Sequence, residues 1–151
     1  MPPGAMSKRA DALTLRLARP SERELLEALQ RRASLALEDY REQLEANPDA
    51  IHLPAEQIAD GQVTVAELDG QVAGFAALVG GELDGLFVEP TLWRQGIGAA
   101  LIEHATHDAR RRGLAVTVIA SPGVQGFYGR CGFSVEGQAQ TRFGPAIRMS
   151  R

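Results

Sequence analysis

Residues 82–120 hold the pattern that most constrains how this chain folds: an apolar run, a proline, a loop with two glycines, a long amphipathic stretch and a second apolar run. The first run, 82–88, predicts a strand that stops before the proline, and 96–112 predicts a helix with one apolar side. The second run, 114–120, is almost continuously apolar, which is typical of a parallel strand buried on both faces. Two parallel strands joined through a helix form a right-handed βαβ unit. The segment therefore predicts a parallel strand pair at the centre of an α/β sheet.

The flanking segments predict further strands, most of them antiparallel. Runs at 63–68 and 72–79 are separated by Asp69 and Gly70, a pair that favours a two-residue hairpin turn. The other predicted elements are a strand at 13–18, a helix that begins with a capping box at 21–24 and turns Leu25, Leu26 and Leu29 inward, a second helix at 37–46, a short helix up to residue 128, and strands at 133–136 and 146–149. We expect an α/β fold with a mixed, mostly antiparallel sheet around the central βαβ unit, flanked by helices.

The length and composition fit a single domain. A chain of 151 residues with 44% hydrophobic content can bury a continuous core. Residues 1–10 lack the apolar centre of a signal peptide and are predicted to be a flexible leader, which leaves 11–151 as one domain. No apolar run approaches the roughly 18 residues needed to cross a bilayer, so we expect no membrane association and a cytoplasmic location. Cys131 is the single cysteine, so an internal disulfide and a zinc knuckle are excluded, and no metal is expected.

The charges are unevenly distributed along the chain. Residues 1–32 carry 7 basic and 4 acidic groups (+3), residues 33–89 carry 1 and 12 (−11), and residues 90–151 carry 8 and 3 (+5). One interpretation is a divided surface, with a basic part for an anionic ligand and an acidic part for a cationic one. The other is a set of ordinary solvated faces, and the sequence leaves both open.

The loop before the predicted long helix has the features of an anion site. Gly96 and Gly98 carry no Cβ, so the backbone N–H groups from Gln95 to Ala99 can approach a ligand closely. The positive end of a helix favours an anion such as a pyrophosphate, and Arg94 adds a charge beside it. No third glycine follows at the spacing of the dinucleotide fingerprint, and no Gly-Lys-Ser/Thr follows as in a P-loop. The loop therefore predicts phosphate binding without nucleotide hydrolysis.

Two motifs in this order resemble those of the GNAT N-acetyltransferases. The run Arg94-Gln95-Gly96-Ile97-Gly98, after a strand and a proline, resembles their coenzyme A motif, and residues 126–133 resemble their Phe-Tyr helix that ends in Gly-Phe. The resemblance implies a splayed sheet with acetyl-CoA wedged between the strands at 82–88 and 114–120. It also implies direct transfer of the acetyl group to an amine.

The same resemblance assigns roles to individual residues. The cofactor-binding set that it implies is Phe87, Val88, Arg94, Gln95, Gly96, Ile97, Gly98, Ala99, Ser121 and Tyr128. Tyr128 is the candidate acid for the departing thiolate, because a phenol with a pKa of about 10 is protonated at neutral pH. Glu82 is the candidate base for the acceptor ammonium, with Asp84 and Glu89 as alternatives.

Two positions depart from the family pattern. Trp93 stands where the coenzyme A motif usually begins with Gln or Arg, and backbone amides can still hold the phosphates there. Ser121 stands where many members have Asn, and its hydroxyl is predicted to cap the following helix.

The expected acceptor is a primary amine of a small molecule or peptide, and the acidic segment at 33–89 favours a cationic small molecule. A small polyamine, an antibiotic, an amino acid and a protein N-terminus are all left open. The acidic overall charge argues against nucleic acid as a partner, and a homodimer is left open. Two alternatives to the enzyme remain: a non-catalytic module that binds or senses CoA, and an assembly protein of the same fold.

Overall fold

The computed structural model of the protein describes residues 12–151, and the predicted leader at 1–10 lies outside the described residues. A seven-stranded sheet has the order β1-β2-β3-β4-β5-β7-β6. The strands are β1 (Leu13–Leu17), β2 (Val63–Leu68), β3 (Gln71–Val79), β4 (Glu82–Val88), β5 (Thr117–Ala120), β6 (Ser134–Thr141) and β7 (Gly144–Ser150). The helices are α1 (Arg23–Ala36), α2 (Arg41–Ala46), α3 (Ala55–Ala59), α4 (Ile97–Arg111) and α5 (Gln125–Arg130).

The sheet is mixed, with one parallel pair at its centre. Strands β4 and β5 are parallel and are connected through α4. The other neighbouring strands run antiparallel. The predicted fold class and the hairpin turn at Asp69 and Gly70 are confirmed, and β4 has the predicted bounds.

The two faces of the sheet bury separate apolar clusters. Helix α4 covers one face, where Leu101 and Ile102 are fully buried with Val118 and Met149. Helix α1 covers the other face and packs Leu26 and Leu29 onto Phe75. From Phe75 to Leu78, the residues of β3 alternate between the two clusters, because side chains along a strand point to opposite faces. This arrangement leaves the ends of β4 and β5, with the loops that follow them, at the surface.

The start of α1 differs from the prediction. The chain first makes a 3₁₀ turn, Pro20–Glu22, and α1 begins at Arg23 with no side-chain cap, so the predicted capping box at 21–24 is wrong. Glu22 instead accepts from the Arg19 N–H at 2.8 Å and pairs with Arg16 at 2.7 Å. Leu25, predicted to be inward, is 51% exposed, because the buried stripe follows Leu26, Leu29 and Ala33 at helical spacing.

Two further elements are shorter than predicted. The helix expected at 37–46 begins only at Arg41, because Tyr40 adopts a left-handed conformation with φ 60° that interrupts helical geometry. The apolar run at 114–120 forms a strand only from Thr117, and its burial alternates between half-buried and buried. Leu114 is 39% exposed. The strand is therefore buried mainly on one face, not on both.

Candidate active site

The two parallel strands separate soon after they begin. Glu82 lies opposite Thr117, and the Thr117 N–H donates to the Gly81 carbonyl at 2.8 Å. Beyond this pair, β4 stays paired with β3 as far as Val88, while β5 stays paired with β7 as far as Ala120. The result is a V-shaped opening with Glu82 at its inner end and Val88 at its outer end. At roughly 3.3 Å per residue, the β4 side of the opening is about 20 Å long.

A β-bulge explains why β4 leaves its parallel partner. Ala77 lies opposite Gly85 and Leu78 lies opposite Leu83, so Asp84 is an extra residue on β4. A bulge bends the strand that carries it and increases its local twist. The bend falls two residues beyond the last pairing with β5, which is where the opening begins.

The register of β3 and β4 decides which backbone groups face the opening. Phe75 lies opposite Phe87, and the Glu89 N–H donates to the Ala73 carbonyl at 2.8 Å. Because hydrogen-bonded pairs alternate in an antiparallel ladder, the N–H and C=O of Phe87 point to β3 and those of Val88 point to the opening. A Cβ built on Gly74 would lie 2.7 Å from the Phe87 carbonyl oxygen, which agrees with that direction. Of the two residues predicted to pair with the cofactor through their backbone, Val88 has its N–H and C=O toward the opening and Phe87 has them toward β3. Leu86, two residues before Val88, has the same direction as Val88.

At the outer end of β4 the chain turns sharply into α4. Residues 90–92 form a 3₁₀ turn, and Arg94 and Gly96 both have positive φ values, 67° and 84°. The Ala100 N–H donates to the Gly96 carbonyl at 3.0 Å as the first bond of the helix. The preceding N–H groups of Ile97, Gly98 and Ala99 thus have no partner within the helix. A 15-residue helix adds the positive end of its dipole at this point, so the geometry can hold an anion.

The two glycines of this loop serve different purposes. A Cβ at Gly96 would meet no atom within 4 Å, and glycine is favoured there by the left-handed backbone. A Cβ at Gly98 would lie 3.0 Å from Cζ of Phe127 and 3.7 Å from Cγ2 of Val88. The missing side chain at Gly98 therefore allows α5 to pack closely on the start of α4.

Tyr128, which follows Phe127 in α5, lies on the β5 side of the opening. It is 7% exposed, and its ring lies 5.2 Å from that of Phe127 and 5.4 Å from that of Phe133. Burial raises the pKa of its phenol well above the ordinary value. The hydroxyl makes no hydrogen bond to another residue in 12–151. The phenol therefore stays protonated at neutral pH, although the same burial makes it a weaker acid than a free tyrosine.

The three predicted carboxylates of β4 and its end have different surroundings. Glu82 is exposed at the inner end of the opening, and Asp84 accepts a hydrogen bond from Nε2 of Gln57 at 2.9 Å. Glu89 accepts two bonds from the Arg32 guanidinium, both at 2.8 Å, and that partner holds the pKa of the Glu89 carboxyl below its usual value. The ion pair therefore makes the Glu89 carboxylate a weaker proton acceptor than an unpaired glutamate.

Ser121 does not act as predicted. It precedes the 3₁₀ turn Pro122–Val124, but its side chain makes no capping hydrogen bond. The Gly123 N–H of that turn donates instead to Oδ2 of Asp39 at 2.7 Å. Sequence reasoning missed Asp39, because no local signal connects two residues 84 positions apart.

An open groove lies beside this contact. Its volume is about 610 Å³, and it is lined by residues 38–43 together with Pro122 and Pro145. The Tyr40 hydroxyl donates to the Pro145 carbonyl at 2.5 Å and connects the two walls. Glu38, Asp39 and Glu42 place three carboxylates along it. The groove is the part of the acidic segment that lies near α5 and the end of β5.

Other kinds of site would need a metal-binding cluster or a membrane-spanning helix. Within residues 12–151, no group of three or more His, Cys, Asp or Glu side chains could hold a metal ion. In the same range, no helix has the length and apolar character required to span a membrane.

Comparisons with known proteins agree with this architecture. Residues 23–149 match the family model of the acetyltransferase (GNAT) domain. The peptidyl-lysine N-acetyltransferase YjaB of Salmonella typhimurium is 33% identical over 135 residues, which cover 85% of this chain and 88% of that protein.

Two solved structures have a similar fold. The GCN5-related N-acetyltransferase from Rhodopseudomonas palustris superposes with a TM-score of 0.77 at 23% identity, over 91% of this chain and 94% of the other. The PaiA N-acetyltransferase from Thermoplasma acidophilum, solved in complex with coenzyme A, gives a TM-score of 0.71 at 18% identity, over 92% and 98%.

Proposed function

The chain belongs to the GNAT acetyltransferase family, and on that premise we propose that it moves the acetyl group of acetyl-CoA directly to a primary amine. The observation that carries the proposal is the opening between β4 and β5, which ends at the unpartnered amides of the α4 N-terminus. An opening of about 20 Å suits an extended arm that is anchored by phosphates at one end and reacts at the other.

The donor site uses groups from three elements. The amides of Ile97, Gly98 and Ala99 bind the pyrophosphate, and the Arg94 guanidinium contributes charge beside them. Gln95 and Gly96 shape the loop that presents these amides. The pantetheine arm pairs with the open edge of β4 as an added strand, as other extended ligands do at unpaired strand edges. Ser121 lies at the end of β5, on the other side of the arm.

The transfer requires proton movements at the acceptor amine and at the thioester sulfur. Glu82 takes a proton from the acceptor ammonium, directly or through a water molecule, and the free amine attacks the thioester carbonyl carbon. The C–N bond forms, the nitrogen gives its second proton to solvent as the C–S bond breaks, and Tyr128 gives its proton to the departing thiolate. Solvent then reprotonates the Tyr128 phenolate and takes up the proton held by Glu82, and the acetylated amine leaves together with CoA.

The acidic groove supports a cationic acceptor. Glu38, Asp39 and Glu42 lie on the wall that adjoins α5, and carboxylates attract an ammonium group. A small polyamine and a lysine side chain of a peptide both satisfy this chemistry. The relative named peptidyl-lysine N-acetyltransferase favours the lysine.

The proposal is tested by measuring free thiol released from acetyl-CoA in the presence of different amines. The panel contains a peptide whose only free amine is one lysine side chain, the same peptide with that lysine acetylated, a polyamine, and a peptide with a free N-terminus and no lysine. We expect thiol release that depends on a cationic amine and is absent with the acetylated peptide. Binding of acetyl-CoA with no amine-dependent release would instead indicate a non-catalytic CoA-binding module.

A further inference from the structure

Trp93 makes a contact that none of the roles assigned above explains. It is the single tryptophan of the chain, and its side chain is 38% exposed at the cofactor loop. Its indole Nε1–H donates to the carbonyl oxygen of Val88 at 2.8 Å. The bond joins the loop that follows β4 to the last residue of that strand.

The acceptor of this bond faces the opening. The register with β3 directs the N–H and C=O of Val88 away from β3 and toward the gap beside β5. Val88 is also the outermost residue of β4 on that edge. The indole therefore bonds to the outermost backbone acceptor of β4 on that edge.

The loop itself needs to be held in place. Arg94 and Gly96 have positive φ values on either side of Gln95, so this part of the chain departs from regular structure. Ile97 anchors the far side, because its side chain is 3% exposed in the main core cluster. On the near side, the side chain of Trp93 ties the loop to β4.

From these contacts we propose that Trp93 is a positioning residue for the acyl donor. Its indole N–H fixes the phosphate-binding loop against β4 and occupies one of the two acceptor positions of the Val88 carbonyl, so the Val88 N–H is the fully open group of that residue. The arm then pairs with the Val88 N–H and the groups of Leu86, and its outer part lies against the exposed indole face. The inference rests on the proposed function, because it assumes that the donor occupies the β4 edge.

The lone tryptophan supplies a direct spectroscopic test. Addition of CoA should alter the emission of Trp93, because the arm covers the exposed part of the ring. Adenosine 3′,5′-bisphosphate carries the same adenine without the pantetheine arm, and after correction for absorption it should leave the emission unchanged. An equal change with both ligands would place the ring against the nucleotide and overturn the inference.

Two substitutions separate the hydrogen bond from the ring. Trp93→Phe keeps a ring without the donor, and Trp93→Gln keeps an N–H donor without the ring. We expect Trp93→Phe to weaken CoA binding in calorimetry and raise the KM for acetyl-CoA by about 3- to 10-fold, with kcat within about twofold, the scale of one lost hydrogen bond. Trp93→Gln should bind CoA with an affinity within about threefold of the wild type.

Leu114→Ala is the matched control, because Leu114 is 39% exposed at the far end of α4. This variant should bind CoA as the wild type does.

The outcomes distinguish this inference from the proposed function. If the wild type binds CoA and Trp93→Phe binds it equally well, the positioning role is overturned and the proposed function stands. If Trp93→Gln binds as weakly as Trp93→Phe, the hydrogen bond is not what positions the donor, and the role is overturned as well. If the wild type binds no CoA or acetyl-CoA, the proposed function fails, and this inference fails with it.

Discussion

At the scale of single residues, the proposed acid and base have opposite surroundings, one buried and one exposed to solvent. Tyr128 is enclosed by two aromatic rings, and burial raises the pKa of its phenol. Glu82 is exposed where β4 and β5 separate. A group that stays protonated and a carboxylate in contact with solvent are the two partners that amine acetylation needs.

Removal of the phenol should slow the chemical step. Tyr128→Phe keeps the ring contacts, so we expect acetyl-CoA affinity within a few fold of the wild type and kcat lower by about 10²-fold. The acid acts only while it is protonated. Because its pKa is raised above the ordinary value of about 10, ionisation of Tyr128 should not lower kcat up to about pH 10. Steady-state kinetics with calorimetry measure both quantities, and full activity in Tyr128→Phe would leave the residue with a packing role.

The base assignment can be tested against its neighbour. Glu82→Gln should lower kcat/KM by about 10²-fold near neutral pH, with partial recovery at higher pH where more of the acceptor amine is already neutral. Asp84→Asn is the matched comparison, because Asp84 is a carboxylate two residues away from Glu82. Asp84 accepts a hydrogen bond from Gln57, and the amide oxygen of asparagine can still accept it. A larger loss in Asp84→Asn than in Glu82→Gln would transfer the role to Asp84.

At the scale of elements, the contact between α4 and α5 connects the phosphate loop to the proposed acid. Gly98 leaves the space that the Phe127 ring enters. Gly98→Val would push α5 away from α4, and we expect it to lower the unfolding free energy by about 1 to 3 kcal/mol and to reduce kcat as well. Thermal unfolding measures the first effect.

A second glycine in α5 provides the control for this contact. A Cβ at Gly129 would meet no atom within 4 Å, so Gly129→Ala should stabilise the protein by up to about 1 kcal/mol through helix propensity. If Gly98→Val unfolds at the wild-type temperature, the close approach of the two helices is not required for stability.

The elements that sequence predicted best are those specified by local pattern. Strand β4, the hairpin turn at Asp69 and Gly70, and helix α4 depend on apolar period and turn residues within a few positions. Three features were not predictable in this way. The bulge at Asp84 depends on pairing with β3, the left-handed Tyr40 is accompanied by a hydroxyl bond to Pro145, and the Gly123 turn depends on Asp39.

The candidate site also has parts that local sequence predicts and parts that depend on the folded chain. The loop of α4 and the Tyr128 helix follow from motifs that are contiguous in sequence. The direction of the Phe87 and Val88 backbone groups depends on the register with β3, which a single strand does not reveal. The role of the missing side chain at Gly98 depends on Phe127, which is 29 residues away and contacts it only in the folded chain.

At the scale of the whole molecule, folding partly neutralises the acidic segment. Arginines from other parts of the chain pair with Glu67, Glu89 and Asp49. The carboxylates of the groove, Glu38, Asp39 and Glu42, have no ion pair within residues 12–151. The groove, which Arg41 also lines, thus keeps three carboxylates whose charge no arginine of the described residues neutralises by an ion pair.

This distribution predicts how salt affects catalysis. Exposed charges are screened beyond about 8 Å at physiological ionic strength. Raising the salt concentration should therefore lower kcat/KM for a cationic amine by about threefold or more relative to a neutral amine of similar size. Equal loss for both amines, or a preference for anionic acceptors, would show that the acidic segment is a solvated face.

The central claim is that the acetyl group passes directly from acetyl-CoA to an amine within one complex. Mass spectrometry of the protein and the acceptor, before and after mixing with acetyl-CoA, tests it most directly. The account predicts that the amine gains one acetyl group while the protein gains none, with or without acceptor. A protein that becomes acetylated when the acceptor is omitted and then passes the group on, or an amine that stays unmodified in the presence of bound acetyl-CoA, would contradict it.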